Sequence, residues 1–282
     1  MTALARPAGA PRPIVFRTRG RRHGPITRLM SPGDAGQLVK PFVFLDWFDA
    51  EPGAGAGFGW HPHSGIATLT LVMEGGVGYE ETTGVKGEVR AGGIEWMRAS
   101  GGVWHTSSLS GETPTRGYQL WLAMPAALEL GAPESRYLSA DEVPAAGPAR
   151  VVLGRYGGAA SVVPAPAGIT YLAVTLKAGE TWRFEPPAGQ HVAWIAVHKG
   201  QVAAPERVSA GEMAIFAEGA GAIVFEAAAD AAFILGAAAK HPHDLVTGSY
   251  SVHTSRDALI AGEAGIRRIA LELQARGLIA LR

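Results

Sequence analysis

From Pro41 to Met124 short apolar runs alternate with glycine-bearing breaks: Phe42 to Phe48, Ala67 to Met73, Ile94 to Met97 and Tyr118 to Met124. Runs of this length at regular spacing predict the strands of an antiparallel sandwich or barrel. The stretch from Pro125 to Ala149 holds Pro125, Pro133, Pro144 and Pro148 and predicts a crossover. The rhythm then returns with Val151 to Leu153, Thr170 to Leu176, His191 to His198, Glu212 to Phe216, Ile223 to Glu226 and Ala232 to Leu235. Near the end, Thr254 followed by Asp257 resembles a capping box, and Leu259, Ile266, Ile269 and Leu273 recur at helical spacing before Gly277. This predicts an amphipathic helix of about five turns, closing the open side of a barrel.

Composition agrees with an all-β reading. The chain has 282 residues, 38 of them Gly and 19 Pro, with 47% hydrophobic and 18% charged, which suits many short strands joined by tight turns around a sizeable core. Its length exceeds one domain of about 100 to 150 residues, so two barrels are expected, over 1–145 and 146–282. Lys+Arg and Asp+Glu balance at 25 each, so no overall field draws the protein to nucleic acid or to an anionic membrane. Arg17, Arg19 and Arg21, at period two within the basic stretch Arg12 to Arg28, read as the solvated face of an edge strand. The absence of cysteine excludes disulfides, thiolate ligands and a Cys nucleophile, so any metal takes nitrogen or oxygen donors. No apolar core of signal-peptide length begins the sequence and no run of about 18 apolar residues occurs, so the expected compartment is the cytoplasm.

The sharpest chemistry lies in Gly59-Trp-His-Pro-His-Ser-Gly65. Histidines at i and i+2 on a strand share a face, so His61 and His63 are able to share one ion. If the strand runs on without a bulge, they have the parity of Ala67, Leu69, Leu71 and Met73, with Thr68, Thr70 and Glu74 on the other face. Two imidazoles in an apolar barrel need partners, and a metal supplies one while requiring the neutral form. Spacing alone fits a metal site and a pair of ordinary barrel histidines equally. His105, after the turn-forming Gly101-Gly102, is the best candidate for a third ligand from another strand. Three histidines on one side of an ion leave positions open for water, dioxygen or a chelating substrate. His23, His191 and His198 stand alone, and the second His-Pro-His, His241 to His243, sits in a polar loop without a companion; these read as surface or core residues.

Together, Pro41-Phe-Val-Phe-Leu-Asp46, His61-Pro-His-Ser-Gly65, Val72-Met-Glu-Gly75, Gly92-Gly-Ile-Glu-Trp-Met97, Gly102-Val-Trp-His105 and Gln119-Leu-Trp-Leu122 resemble the pirin family, a branch of the cupins. Gly248-Ser-Tyr-Ser-Val-His-Thr254 and the final helix match the family's ending. The resemblance implies two cupin barrels, of double-stranded β-helix or jelly-roll type, with a divalent metal in the N-terminal one held by His61, His63 and His105. Iron is implied first, while copper, nickel, manganese and zinc also suit three imidazoles. The family's glutamate two residues after the last histidine is Ser107 here, and the glutamate that many cupins carry four residues after the second histidine is Ala67. Losing that anionic ligand leaves the ion more net charge and removes a general base. Glu95 stands where the family has an amide, which makes it a candidate relocated carboxylate; read as an ordinary strand residue it is solvated. Ser107 and Glu95 are thus the weaker ligand candidates, and Glu112 is weaker still.

Three functions follow from the resemblance. One is a flavonol (quercetin 2,3-dioxygenase-like) dioxygenase taking a flat aromatic substrate, with Trp60, Trp96, Trp104 and Trp121 as candidates for the pocket wall or for core. Another is a redox-responsive transcriptional co-regulator that binds a protein partner. The third is a metal-free scaffold, which Ser107 and Ala67 favour. Two barrels in one chain bury each other's faces, so a monomer is expected.

Overall fold

The computed structural model describes residues 11–52, 57–110 and 112–280, nearly all of them in strands or turns apart from two helices and a short 3-10 turn. The chain forms two compact units, 21–143 with 241–282 and 144–240 with the residues up to 20. This division differs from 1–145 and 146–282. The crossover does fall at Pro144, but both chain ends are exchanged between the units. Strand β1 (Ile14–Thr18) pairs with Met213–Phe216, and the C-terminal helix belongs to the unit that carries the histidines.

The 144–240 unit has a seven-stranded sheet in the order Ile14–Thr18, Met213–Phe216, Val192–Lys199, Ala231–Ala238, Ile169–Leu176, Ala149–Leu153, Ala145–Ala146. A four-stranded sheet of Thr181–Phe184, Ile223–Glu226, Gln201–Ala203 and Arg207–Ser209 accompanies it. Alternate residues of both sheets form one apolar core that includes Trp182, Phe184, Phe216, Phe225 and Phe233. At the exposed edge, Arg17 and Arg19 pair with Glu206 and Glu212; Arg19 follows β1 and Arg21 lies in a strand of the other unit, so the three arginines do not share one strand face.

The histidine-bearing unit repeats the plan. Its strands are β2 (Arg21–His23), β3 (Ile26–Met30), β4 (Phe42–Ala50), β5 (His61–His63), β6 (Ile66–Glu74), β7 (Gly76–Glu81), β8 (Lys86–Arg90), β9 (Ile94–Arg98), β10 (Val103–Ser110), β11 (Thr115–Ala123) and β12 (Glu134–Leu138). They form a seven-stranded sheet, β12-β9-β6-β11-β4-β3-β2, and a four-stranded one, β5-β10-β7-β8. Both units are antiparallel double-sheet barrels of the cupin type, in an all-β chain closed by one long helix.

Strand parity through the histidines does not run on as expected. The chain breaks at Gly65, where φ is +73° and a Cβ would lie 2.1 Å from the Val252 carbonyl oxygen, a position open only to glycine. His61 and His63 lie in the small sheet and β6 restarts in the large one. Thr70 therefore lines the same cavity as the histidines, while Ala67, Leu69 and Leu71, with the opposite parity, are fully buried away from it.

The helix Arg256–Ala275 is capped by Ser255, whose hydroxyl accepts from the Ala258 N–H. The cap lies one residue later than Thr254 because the Thr254 hydroxyl and N–H both donate to Glu129. Gly262, Ile266, Ala270 and Leu273 form the buried face. At Gly265 a Cβ would come within 2.1 Å of the Gly101 carbonyl, and Trp104 Nε1 donates to the Ile266 carbonyl at 3.0 Å. The helix is thereby seated on the turn that leads into His105.

Candidate metal centre

The short β5 puts His61 and His63 on one face, and its pairing with β10 sets His105 directly opposite His61. Three imidazoles from two neighbouring strands thus converge. Ring centroids are 4.3 Å apart for His61 and His105, and 5.1 Å for each of the pairs His61–His63 and His63–His105. One nitrogen from each lies within 4.8 Å of the others, and this is the one such cluster of His, Asp or Glu among the described residues.

Carbonyl partners fix two of the rings. His61 Nδ1 faces the Gly59 carbonyl at 2.8 Å and His63 Nδ1 faces the Tyr250 carbonyl at 3.2 Å. A nitrogen facing a carbonyl carries the proton, leaving each Nε2 lone pair free. Burial, then the neighbouring His105, lowers the pKa of His61 to about 4 and that of His63 well below its ordinary value. Both rings are neutral at neutral pH, the form a metal needs.

Several buried atoms nearby have no partner: His105 Nδ1 and Nε2, Glu95 Oε1 and Gln119 Nε2. Buried polar atoms are rarely left so. An unpartnered His105 ring nitrogen beside the imidazoles of His61 and His63 fits a divalent ion with nitrogen donors, and the donor set accepts iron, nickel, copper, manganese or zinc.

The histidines open into a cavity of about 1120 Å³. Along one wall the Arg28 guanidinium lies 3.9 Å over the Phe44 ring, Phe44 stacks on Trp121 at 4.0 Å and 7°, and Trp121 meets the edge of His63 at 4.8 Å. Of the four tryptophans weighed in the sequence, Trp60 and Trp121 line this cavity. Trp96 is fully buried core, and Trp104 is tied to the helix. His23 also reaches the cavity, whereas His241 is buried and held by the Met124 carbonyl.

The cavity floor is a polar row across the large sheet. Register sets Arg28, Asp46, Gln119, Thr70 and Glu95 side by side on β3, β4, β11, β6 and β9. Arg28 Nη2 donates to Asp46 at 3.0 Å. Thr70 Oγ1 lies 2.5 Å from Glu95 Oε2 and 2.9 Å from Gln119 Oε1. Glu95 is 3% exposed and faces the cavity, which corrects its reading as a solvated strand residue. Ser107 lines the cavity too, but its hydroxyl accepts from the Phe58 N–H at 3.4 Å and its own N–H donates to the Phe58 carbonyl. Glu112 is exposed and away from the cavity. Thr70 and the Tyr250 carbonyl were missed from sequence. Asp46, Gln119 and Tyr250 do fall inside the family-like segments, and that is the one signal that marked them.

A second polar cluster sits behind His63. Ser64 Oγ is 3.0 Å from His253 Nε2, and His253 Nδ1 is 3.0 Å from Glu129 Oε2. Ser64 also donates to Ser251 at 2.9 Å. The order Ser, His, Glu is that of a nucleophilic triad, yet Ser64 has no exposed surface. The cluster fastens the segment bearing Tyr250, and with it the His63 tautomer, to β5.

The fold is that of a bicupin, with a cluster of three histidines able to hold a metal ion in one barrel. The pirin family profile matches residues 23–122. A pirin-like protein of Caulobacter vibrioides is 33% identical over 188 residues, covering 63% of this chain and 67% of that protein. The chain belongs to the pirin family. Its structure resembles the crystal structure of quercetin 2,3-dioxygenase from Acinetobacter baumannii, with a TM-score of 0.81 and 22% identity over 95% of this chain and 98% of that one. It also resembles the bacterial pirin YhhW of Escherichia coli in complex with nickel(II), with a TM-score of 0.63 and 23% identity over 78% and 95%. Among the described residues no helix is long and apolar enough to cross a membrane.

Proposed function

We propose that this pirin is a metal-dependent dioxygenase acting on a flat, hydroxylated aromatic molecule of the flavonol kind. The observation that carries the reading is the convergence of His61, His63 and His105 at the wall of a cavity about 1120 Å³ in volume, just above the usual size of small-molecule sites and so roomy enough for a multi-ring molecule. Likeness of fold to a quercetin 2,3-dioxygenase supports it. The three histidines hold the ion, iron first among the metals that suit them. When bound, the ion supplies Lewis acidity toward a substrate oxygen and redox chemistry toward dioxygen.

The chain's own residues do the rest. The Gly59 and Tyr250 carbonyls keep the Nε2 atoms of His61 and His63 aimed inward. Trp121 and Phe44 offer an aromatic wall on which a planar ring stacks. Arg28 and Asp46 stand at the far end of the floor, where they meet hydroxyl groups of the substrate.

The test is the metal content of protein purified without added metal or a histidine tag, beside a His105→Ala control, followed by oxygen uptake with a flavonol. Near-stoichiometric metal lost in the variant, with uptake in the parent, is the expected result. Little metal in either sample, even after reconstitution, would overturn the enzyme reading in favour of a partner-binding or scaffold role.

A further inference from the structure

We propose that Glu95 is the carboxylate of this metal centre, acting from behind His105 as the acceptor of its Nδ1 proton rather than beside the ion at the position now held by Ser107. The inference rests on the metal reading above and names a residue that the reading leaves unused.

Geometry supports the placement. Glu95 Oε1 lies 3.7 Å from His105 Nδ1, and both atoms are buried without a partner. His105 Nε2 is also unpartnered. A small rotation of the ring closes the first pair to a hydrogen bond and leaves Nε2 for the ion, so one assignment satisfies three orphaned atoms. Direct ligation by Glu95 fits less well, because the nitrogens that gather within 4.8 Å include no Glu95 oxygen among them.

The carboxylate is held from its other side. Thr70 faces both Glu95 and Gln119, but one hydroxyl carries one proton. Turning the Gln119 amide so that its Nε2 donates to Thr70 frees that proton for Glu95 Oε2 and satisfies the orphaned Nε2 as well. Gln119 then donates to Thr70 and Thr70 to Glu95 Oε2, while Glu95 Oε1 accepts from the His105 ring. A carboxylate behind a metal-bound imidazole fixes its tautomer and raises its basicity. It also returns to the centre the negative charge lost where Ser107 stands.

Glu95 is thus a positioning residue. Its test is the iron affinity of the reconstituted protein, by chelator competition, together with the Fe(III)/Fe(II) potential. The isosteric Glu95→Gln is expected to weaken affinity by about 10- to 100-fold and to raise the potential, since the lost anion favoured the higher charge. Thr70→Val, which removes the hydroxyl on Oε2 at constant volume, is expected to shift both in the same direction by less, and it carries the test if Glu95→Gln does not fold. Unchanged affinity, or weaker affinity at an unchanged potential, would overturn the inference while His105→Ala still abolishes binding. Full metal binding by His105→Ala with Glu95 intact would instead defeat the metal reading itself.

Discussion

The two barrels share one plan, a seven-stranded sheet facing a four-stranded one, yet their interiors differ. In the 144–240 unit both sheets contribute to one apolar core, with Trp182, Phe184, Phe225 and Phe233 meeting at ring separations of 5.0 to 6.3 Å. In the other, one face of the large sheet is a polar row that floors a cavity lined by the three histidines, while residues of the opposite parity such as Leu69, Leu71 and Leu120 are fully buried. The first interior follows the rule that cores are apolar and close-packed. The second departs from it along the cavity floor, and the departures are polar groups that suit a ligand. Chemistry is to be sought where a repeated architecture stops filling itself.

Truncation tests the packed interior most severely. Phe233, fully buried between Phe225 and Trp182, leaves a cavity when shortened, so Phe233→Ala is expected to cost about 3–5 kcal/mol by chemical denaturation while metal binding stays unchanged. Phe44→Ala borders a cavity that is already open and is expected to cost less, with its main effect on retention of a planar aromatic ligand. Equal losses at the two positions would erase the distinction between the barrels.

Metal loading sharpens the same contrast from the hollow side. An ion that binds only the folded state at a free concentration of about 100 times its Kd stabilises by about 2.7 kcal/mol. Thermal melting with and without nickel or iron is expected to show that gain in the parent and none in His105→Ala. A gain that survives the substitution would place the ion elsewhere.

Much of this was legible in the sequence. Apolar runs punctuated by glycine gave both barrels, and the His-x-His with His105 gave the three imidazoles that the fold gathers. What was hidden depends on contacts between distant segments. Gly65 looks like any turn glycine until Val252, almost two hundred residues on, crowds its Cα, and that break turned Thr70 toward the cavity. Glu95 was ambiguous because an isolated acidic residue in a strand is ordinarily solvated, and only register with Thr70 and Gln119 shows it to be internal. The exchange of chain ends between units is invisible to periodicity, which records that a strand or helix exists but not what it packs against.

The smallest expected difference concerns acid. Burial, and secondarily the Lys199 charge, lowers the pKa of His198 in the packed barrel to about 4, against about 6.5 in an unfolded chain. Between these values the unfolded state binds the proton and the folded state does not, so stability is intact above pH 6.5 and falls as pH drops toward 4. One such group contributes a slope of at most about 1.4 kcal/mol per pH unit. The metal-free histidine-bearing barrel shares this liability through His61 and His63, whose lowered pKa values have the same sign. A bound ion removes it there by excluding protons from the ring nitrogens, over the pH range in which it stays bound. Denaturant titrations of His198→Asn at pH 7 and pH 5 are therefore expected to show a smaller acid loss than the parent shows. Adding metal is expected to reduce the loss further, and the two effects add because they act in separate barrels. An acid loss identical in parent and variant would remove His198 from the account and leave the histidines of the hollow barrel as the whole of the pH response.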